Sequence, residues 1–429
     1  IEVGNNIIDP YNTMILNMAA AGTGTKFTLG AGSLTWFATA TQNLSTGALG
    51  KVYLVKIPYT AFAQDTNTYN FLNGLEQRYG VEADGREKNL FNKLNDLGKG
   101  EAHILAQAID EMKGHQYANI QQRVNATGNT LDKEFNYLQN NWRNTTKDSN
   151  KIKVFGMRNE YNTDTAGIID YTSDAYGVAY VHENETVKLG NSSGWYAGAV
   201  NNRFRFKDIG KSRENQTMVK AGIFKTMSPV TDHNGSLQWT VAGDVFISRN
   251  EMKRKFWIVD EIFDAKSDYS SYGAAFKTNL GYDVRLSERT HLRPYGALKM
   301  EYGRFNDIKE DNGQIRLEVE GNDYFSVKPE VGIEFKYVQP LAVKTQLSVG
   351  LSAAYENELG KVNNTNKARV RFTSADWYDL RSEKEDRRGS GKFDLNIGVD
   401  NTRLGVTFNA GYDTKGKNVR GGLGFRVIY

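Results

Sequence analysis

Residues 343–355 read Val343-Lys-Thr-Gln-Leu-Ser-Val-Gly-Leu-Ser-Ala-Ala-Tyr355. In an extended chain successive side chains point to opposite faces. Val343, Leu347, Val349, Leu351, Ala353 and Tyr355 then share one face, where Thr345 is the only polar member. Lys344, Gln346, Ser348, Gly350 and Ser352 share the other. One face suits an apolar medium and the other suits water. In a soluble sandwich the apolar face would meet a core, whereas in a water-filled barrel it would meet lipid.

The same period of two recurs on both sides of this stretch. Phe325, Val327, Val331, Ile333, Phe335 and Tyr337 oppose Ser326, Lys328, Glu330, Gly332, Glu334 and Lys336. Leu404, Val406, Phe408, Ala410 and Tyr412 oppose Arg403, Gly405, Thr407, Asn409 and Gly411. The pattern predicts twelve strands, near 151–162, 175–183, 193–206, 217–227, 236–248, 269–286, 291–305, 324–337, 341–355, 392–400, 402–412 and 419–429. Their number is even, as an antiparallel single-chain barrel requires. Tight turns are expected at 229–235, 288–290, 338–340, 401 and 413–418, and longer polar segments at 184–192, 207–216, 249–268, 306–323 and 356–391. Short turns at one end and long loops at the other are the asymmetry of a membrane barrel. Trp195, Trp239, Tyr269, Tyr337 and Tyr355 lie near strand ends, where they would form aromatic girdles.

Upstream of residue 151 the period is helical. Asp65 is placed to cap a helix ending near Gly80. A second helix is expected over 84–97 with Leu90, Phe91, Leu94 and Leu97 on one stripe, and a third from Glu101 with Ile104, Leu105, Ala108, Ile109 and Met112. The segment 115–141 differs. Its run Gln116-Tyr-Ala-Asn-Ile-Gln-Gln-Arg-Val-Asn-Ala-Thr-Gly-Asn-Thr130 is polar nearly all round. Such a helix sits in water or against polar walls. At about 1.5 Å per residue it is long enough to cross a membrane. Two placements are open, an exposed linker broken at Gly128, or the lumen of a twelve-stranded barrel, which is about one helix wide. The first 63 residues are short β runs at 14–18, 26–29, 34–37 and 52–57, which fit either the last rungs of a parallel solenoid or a small sandwich.

Composition narrows the partners and the chemistry. With no cysteine, the chain has neither disulfides nor thiol-bound metals. Its 5 histidines show no zinc-like spacing. A net charge of +4 lacks the basic bias of a nucleic-acid binder, so no nucleic-acid partner is expected. No apolar run reaches the roughly 18 residues of a membrane helix. A barrel shows lipid only every second residue, so a negative mean hydropathy does not argue against one. The chain opens at Ile1 without a signal peptide, and it is expected to be the C-terminal part of a longer secreted precursor.

Two segments carry a family resemblance. Leu94-Asn-Asp-Leu-Gly-Lys-Gly-Glu-Ala-His103 is similar to the Leu-Ser-Gly-Glu-Ala-His segment that precedes the pore helix in classical monomeric (type Va) autotransporters, with Lys-Gly in place of Ser-Gly. The final Gly422-Leu-Gly-Phe-Arg-Val-Ile-Tyr429 is similar to the signal read by the barrel-assembly machinery, carried here by Gly424, Phe425, Val427 and Tyr429. The resemblance implies a mainly β protein. A twelve-stranded antiparallel transmembrane β-barrel would hold a pore-traversing α-helix, preceded by helices and the β-rich end of a passenger. The implied units are the passenger end at 1–64, a connecting helical segment at 65–114, the linker helix at 115–142 and the barrel at 143–429. The helix would present Gln116, Asn119, Gln122, Arg123, Asn125 and Asn129 to the wall. The implied function is anchoring and export of a surface passenger, of adhesive type. The implied place is the outer membrane of a Gram-negative bacterium, with the N-terminal part on the cell surface. The partners would be outer-membrane lipid and lipopolysaccharide, the assembly machinery, the passenger itself and host or bacterial surface ligands.

No catalytic constellation stands out: there is no Gly-x-Ser-x-Gly and no phosphate-binding loop. No cofactor or metal is expected. Some members of the resembled family cut their linker at an Asn inside the barrel. Asn119, Asn125 and Asn129 lie in the corresponding segment, but an Asn-Asn pair occurs only at its end, Asn140-Asn141. The helix is therefore expected to stay intact. An alternative to the translocator is a porin or small-solute channel, which has no use for a polar helix before its first strand. A lipid hydrolase would need a serine constellation.

Overall fold

The computed structural model describes residues 13–17, 33–42, 45, 49–82, 85–140, 149–185, 191–342 and 344–428. The strand expected at 26–29, together with Val343, Asn141 and Tyr429, lies outside them. Strands β1 (Thr13–Asn17), β2 (Trp36–Gln42) and β3 (Leu49–Lys56) form a small sheet of order β1-β3-β2. Both pairings are antiparallel, so the described strands are not parallel rungs.

Three helices follow, α1 (Thr66–Arg78), α2 (Arg86–Asn95) and α3 (Ala102–Met112). The Asp65 carboxylate accepts the Thr68 N–H at 2.7 Å, which starts α1 where a cap was expected. The apolar stripes meet in one core of Phe71, Leu72, Leu75, Leu90, Phe91, Leu94, Leu105 and Met112. Asn95 ties this core to the sheet. Its side-chain oxygen accepts from Thr35 Oγ1 (3.0 Å) and Tyr59 Oη (3.2 Å), and its amide donates to Tyr79 Oη (3.2 Å). Its backbone carbonyl accepts from the Trp36 indole at 3.2 Å.

The barrel has twelve strands: β4 (Ser149–Tyr161), β5 (Tyr171–Glu185), β6 (Ser192–Phe206), β7 (Arg213–Thr231), β8 (Gly235–Ile258), β9 (Glu261–Arg285), β10 (Thr290–Phe305), β11 (Asn322–Ala342), β12 (Thr345–Glu356), β13 (Ser390–Asp400), β14 (Leu404–Asp413) and β15 (Asn418–Ile428). Neighbours pair antiparallel, and β15 pairs with β4 in register Phe425↔Ile152, which closes the sheet. No described helix is long and apolar enough to cross a membrane; the crossing is made by strands. Outside the wall lie exposed Ile152, Val219, Val245, Ile247, Val331, Leu351, Val406 and Phe425. Inside lie buried Lys151, Lys153, Lys220, Asp244, Glu301, Ser326 and Asn409. This inversion of a soluble protein realises the alternation read from 343–355.

Three expectations are corrected. Residues 249–268 are not a loop: β8 and β9 run on beyond the apolar band as one hairpin, paired up to Ile258↔Glu261. Outward residues there, Arg249, Glu251 and Lys253, meet water, so the apolar signal fades although the ladder continues. The connections at 184–192 and 413–418 swap ends, because strand direction, not loop length, fixes the end. Tyr269 is no girdle residue; it is buried inside, where its hydroxyl donates to Glu214 at 2.6 Å.

The loop end is covered. Segments 308–309, 317–319, 367–370 and 378–379 form a four-stranded antiparallel sheet from two loops. The Phe71 ring of α1 meets Tyr378 edge-on at 5.6 Å, and the Asn70 amide donates to the Trp377 carbonyl at 3.0 Å. From α2, Arg86 pairs with Glu261 (2.8 Å) and Lys93 with Asp260 (2.7 Å) at the hairpin tip. Exposed pairs of this kind each contribute little, so the buried aromatic contact dominates the docking.

Asn95→Ala should destabilise the helical segment by about 1–3 kcal/mol by leaving buried partners unsatisfied. Protease susceptibility between 33 and 112 should rise while the barrel band on a gel keeps its heat-dependent shift. An unchanged digestion rate would show that Asn95 is not the tie.

Candidate functional site

The residues that set the barrel apart lie along its axis. After α3 the chain turns at Gly114, whose φ of 82° is open to glycine and whose ideal Cβ would lie 2.6 Å from Leu317 Cδ1. A short 3₁₀ turn, His115–Tyr117, leads into α4 (Ile120–Asn140). Its 21 residues span about 31 Å, close to the thickness of a hydrocarbon layer. It enters at the loop end and stops at the turn end, where the chain resumes as β4.

At the mouth, Glu310 holds Arg254 through both oxygens (2.9 and 2.8 Å) and accepts from Tyr117 Oη at 2.9 Å. Asn366 donates to the Tyr117 carbonyl (2.8 Å) and accepts from Gln121 (2.7 Å). One turn deeper, Arg123 pairs with Glu214 at 2.9 Å, and Thr127 donates to Gln216 at 2.7 Å. At mid-depth Asn125 donates to Glu301 (2.6 Å) and accepts from Lys328 (3.0 Å). Asp132 is the convergence point: Lys220 (3.0 Å), Lys277 and Lys299 all reach its carboxylate. Asp244 and Glu301 share those cations, at 2.9 Å from Lys277 and 3.3 Å from Lys220. The last turns pair Lys133 with Asp413 (2.5 Å) and Glu134 with Lys153 (2.5 Å), while Tyr137 donates to Asp394, which Arg420 also holds at 2.7 Å. Beside these turns a cavity of about 470 Å³ opens, lined by Asn136, Gln139, Arg293, Glu334 and Lys336 among others.

Of the six pore-helix residues expected from sequence, Arg123 and Asn125 are wall contacts as described. Asn129 donates to Asn125 (3.1 Å) and accepts from Lys299 (2.6 Å). Gln116 lies before the helix, in the 3₁₀ turn, and donates to Asp208 at 3.0 Å. Asn119 is buried just ahead of α4, its carbonyl accepting the Arg123 N–H at 3.1 Å, and Gln122 is half-buried. On the closing strand Gly424 faces in and Phe425 and Val427 face out. Sequence reasoning missed Asp132, Lys133, Glu134 and Tyr137, although charges concentrated in a helix otherwise rich in amides marked them. The helix is also not polar all round. Leu131, Phe135 and Leu138, spaced i, i+4, i+7, are buried, and the Phe135 ring packs against that of Tyr196, tilted by 47° with centroids 4.6 Å apart. The wall admits them at Gly198, whose ideal Cβ would come within 2.9 Å of Leu131 and 3.0 Å of Phe135.

A family model, the autotransporter β-domain, matches residues 151–413, more than half of the chain. The chain belongs to the autotransporter family. Its fold is similar to the translocator domain of NalP from Neisseria meningitidis, 12% identical, with 72% of this chain and 96% of that one covered at a TM-score of 0.52. It is likewise similar to the transport unit of AIDA-I from Escherichia coli, 14% identical, covering 71% and 99% at a TM-score of 0.50. No curated protein matches by sequence. This autotransporter barrel is an outer-membrane protein of a Gram-negative bacterium and the translocator of a passenger, and the family match favours that function over the solute channel.

Outside the membrane, Glu383 in the loop 357–389 accepts from Thr163 of the loop 162–170. Burial, with Asp386 and Glu385 nearby, pushes its carboxyl up from 4.5 to about 7. A raised folded value means that the folded loops bind the extra proton. The stabilisation is present below pH 4.5 and is lost as pH rises toward 7. Protease nicking of these loops should therefore be slower at pH 5 than at pH 8, and Glu383→Gln should flatten the profile. A variant with the wild-type profile would exclude Glu383 as the cause.

Asp132→Ala strips the shared counter-charge from three lysines and should destabilise the barrel–helix unit by about 3–5 kcal/mol, read as a lower unfolding midpoint in detergent. Gly198→Leu should act through shape instead, forcing α4 off the wall and costing about 1–3 kcal/mol without changing any charge pair. Midpoints equal to wild type would mean that α4 is not seated as described.

Proposed function

We propose that the chain anchors and exports an adhesive surface passenger, and that after export α4 stays uncut as the plug of its own pore. One observation carries this reading: α4 runs through the lumen while α1–α3 lie bonded to the loop end of the same barrel. A chain threaded outward from the turn end and folded at the loop end would leave that arrangement behind. The loop end then faces the cell exterior. The proposed partners follow from position: the barrel-assembly machinery at the closing strand, outer-membrane lipid and lipopolysaccharide around the wall, the passenger ahead of Ile1, and host or bacterial surface ligands for that passenger. The chain carries out no catalysis in this reading.

The test is surface display. With an epitope ahead of Ile1 and a secretory signal, the epitope should be protease-accessible on intact cells, and deletion of 115–141 should abolish that. The wild-type barrel should conduct ions poorly in planar bilayers, and a folded barrel lacking α4 should conduct severalfold more, since a lumen of this size is otherwise water-filled. A periplasmic epitope on a normally inserted barrel would overturn the export reading, and equal conductance would overturn the plug.

A further inference from the structure

The outer wall at the loop end carries a feature that the translocator function does not use. Arg205, Arg213, Lys253 and Lys266 lie on four adjacent strands, β6 to β9. They are direct cross-strand partners: Arg205↔Arg213, Arg213↔Lys253 and Lys253↔Lys266. All four are on the outward face; Arg205, Arg213 and Lys266 are exposed and Lys253 half-exposed. Like charges directly opposite in a ladder, with Cβ atoms roughly 5 Å apart, repel and destabilise the pairing. Three such pairs in one row are therefore a local cost to the ladder that a bound anion would relieve.

The surroundings relieve it only in part. Arg205 has Asp174 at 3.6 Å, and that carboxylate is shared with Arg158 at 3.9 Å. In the row nearer the membrane Arg203 faces Asn215, and Glu251 faces Asp268, which Arg249 reaches at 3.9 Å. On the side away from the membrane lie exposed Lys207 and Lys211, and Lys255 opposite Asp264. Arg213, Lys253 and Lys266 form no ion pair among the described residues. Below, along the same strands, the outward residues become Val219, Ile247 and Tyr272, the start of the lipid-facing band. The cation row thus stands on the outward face of the same strands, six residues beyond Val219, Ile247 and Tyr272, with the rows of Thr217 and Arg249 and of Glu251 and Asp268 between.

We propose that this row is a binding site for the phosphates of a polyanionic outer-leaflet lipid, lipopolysaccharide, held against β6–β9. The inference rests on the outward orientation proposed above. Two facts select the occupant, the charge complementarity of a cation row in which Arg213, Lys253 and Lys266 have no ion pair among the described residues, and its place on the outward face of the strands that carry the lipid-facing band.

The test uses the full chain folded in detergent and two variants. One combines Arg205→Thr, Arg213→Thr, Lys253→Thr and Lys266→Thr. The other keeps the charge with Arg205→Lys and Arg213→Lys. Folding is checked first by the heat-dependent gel shift, in phosphatidylcholine vesicles as well. Binding to lipopolysaccharide is then titrated against phosphatidylcholine and inorganic phosphate. Near an anionic surface each basic residue contributes a factor of roughly five, so the fourfold variant should bind lipopolysaccharide at least roughly 100-fold more weakly. The lysine variant should stay within about tenfold, and wild-type binding should weaken with salt. Equal binding by wild type and the fourfold variant overturns the site. So does competition by millimolar inorganic phosphate, which would make it a soluble-anion site. Should the fourfold variant not fold, salt-insensitive wild-type binding overturns the proposal by itself. An inward-facing loop end in the display assay would refute the orientation instead.

Discussion

Charge in a confined lumen needs a partner. The wall strands turn Lys151, Lys153, Lys220, Asp244, Glu301 and Arg420 inward, into a space surrounded by lipid, where an unpaired ion is costly. The helix answers this pattern position by position. Arg123 meets Glu214, Asp132 meets three lysines, Lys133 meets Asp413 and Glu134 meets Lys153. Rotating α4 by one residue, or sliding it by a turn, would break these pairs together and bring like charges opposite one another. Setting register is the best-attested use of buried polar pairs, and here they fix both the depth and the rotation of the helix. The apolar stripe at Leu131, Phe135 and Leu138 adds shape to charge, seating one side of α4 over Gly198.

The same constraint explains why the helix is polar at all. An apolar segment of this length would find the bilayer a better solvent than the lumen. One rich in Asn, Gln, Thr and charged residues is kept inside the wall. The strands face the opposite requirement on their outer side, and their period of two reconciles both.

Beyond the apolar band the barrel stops being only a barrel. The β8–β9 hairpin keeps its ladder into water because its inner face still has something to cover: Phe256, Ile258, Phe263 and Ala265 are buried. The loop strands at 317–319 and 367–370 do the same beside α1 and α3, with Leu317, Val319, Ala368 and Val370 buried. The helical segment and the loops thus share one core, so α1–α3 and the barrel are joined by packing as well as by the chain.

Much of this was legible in the sequence, for a physical reason. A strand between lipid and water must alternate, so residues such as 325–337 and 343–355 state their fold locally, and the twelve strands follow. The Asp65 cap and the stripe Leu90, Phe91 and Leu94 are local for the same reason. What sequence could not state depends on partners far apart in the chain. Residues 249–268 lost their outward apolar signal in water while their ladder continued. Tyr269 read as an interfacial aromatic until Glu214 of another strand claimed it. Asp132 became the centre of the lumen only because β7, β9 and β10 bring Lys220, Lys277 and Lys299 to one point. Alternation alone determined which side chains face water; only barrel closure decided which charges face each other, because strand order and register set those distances.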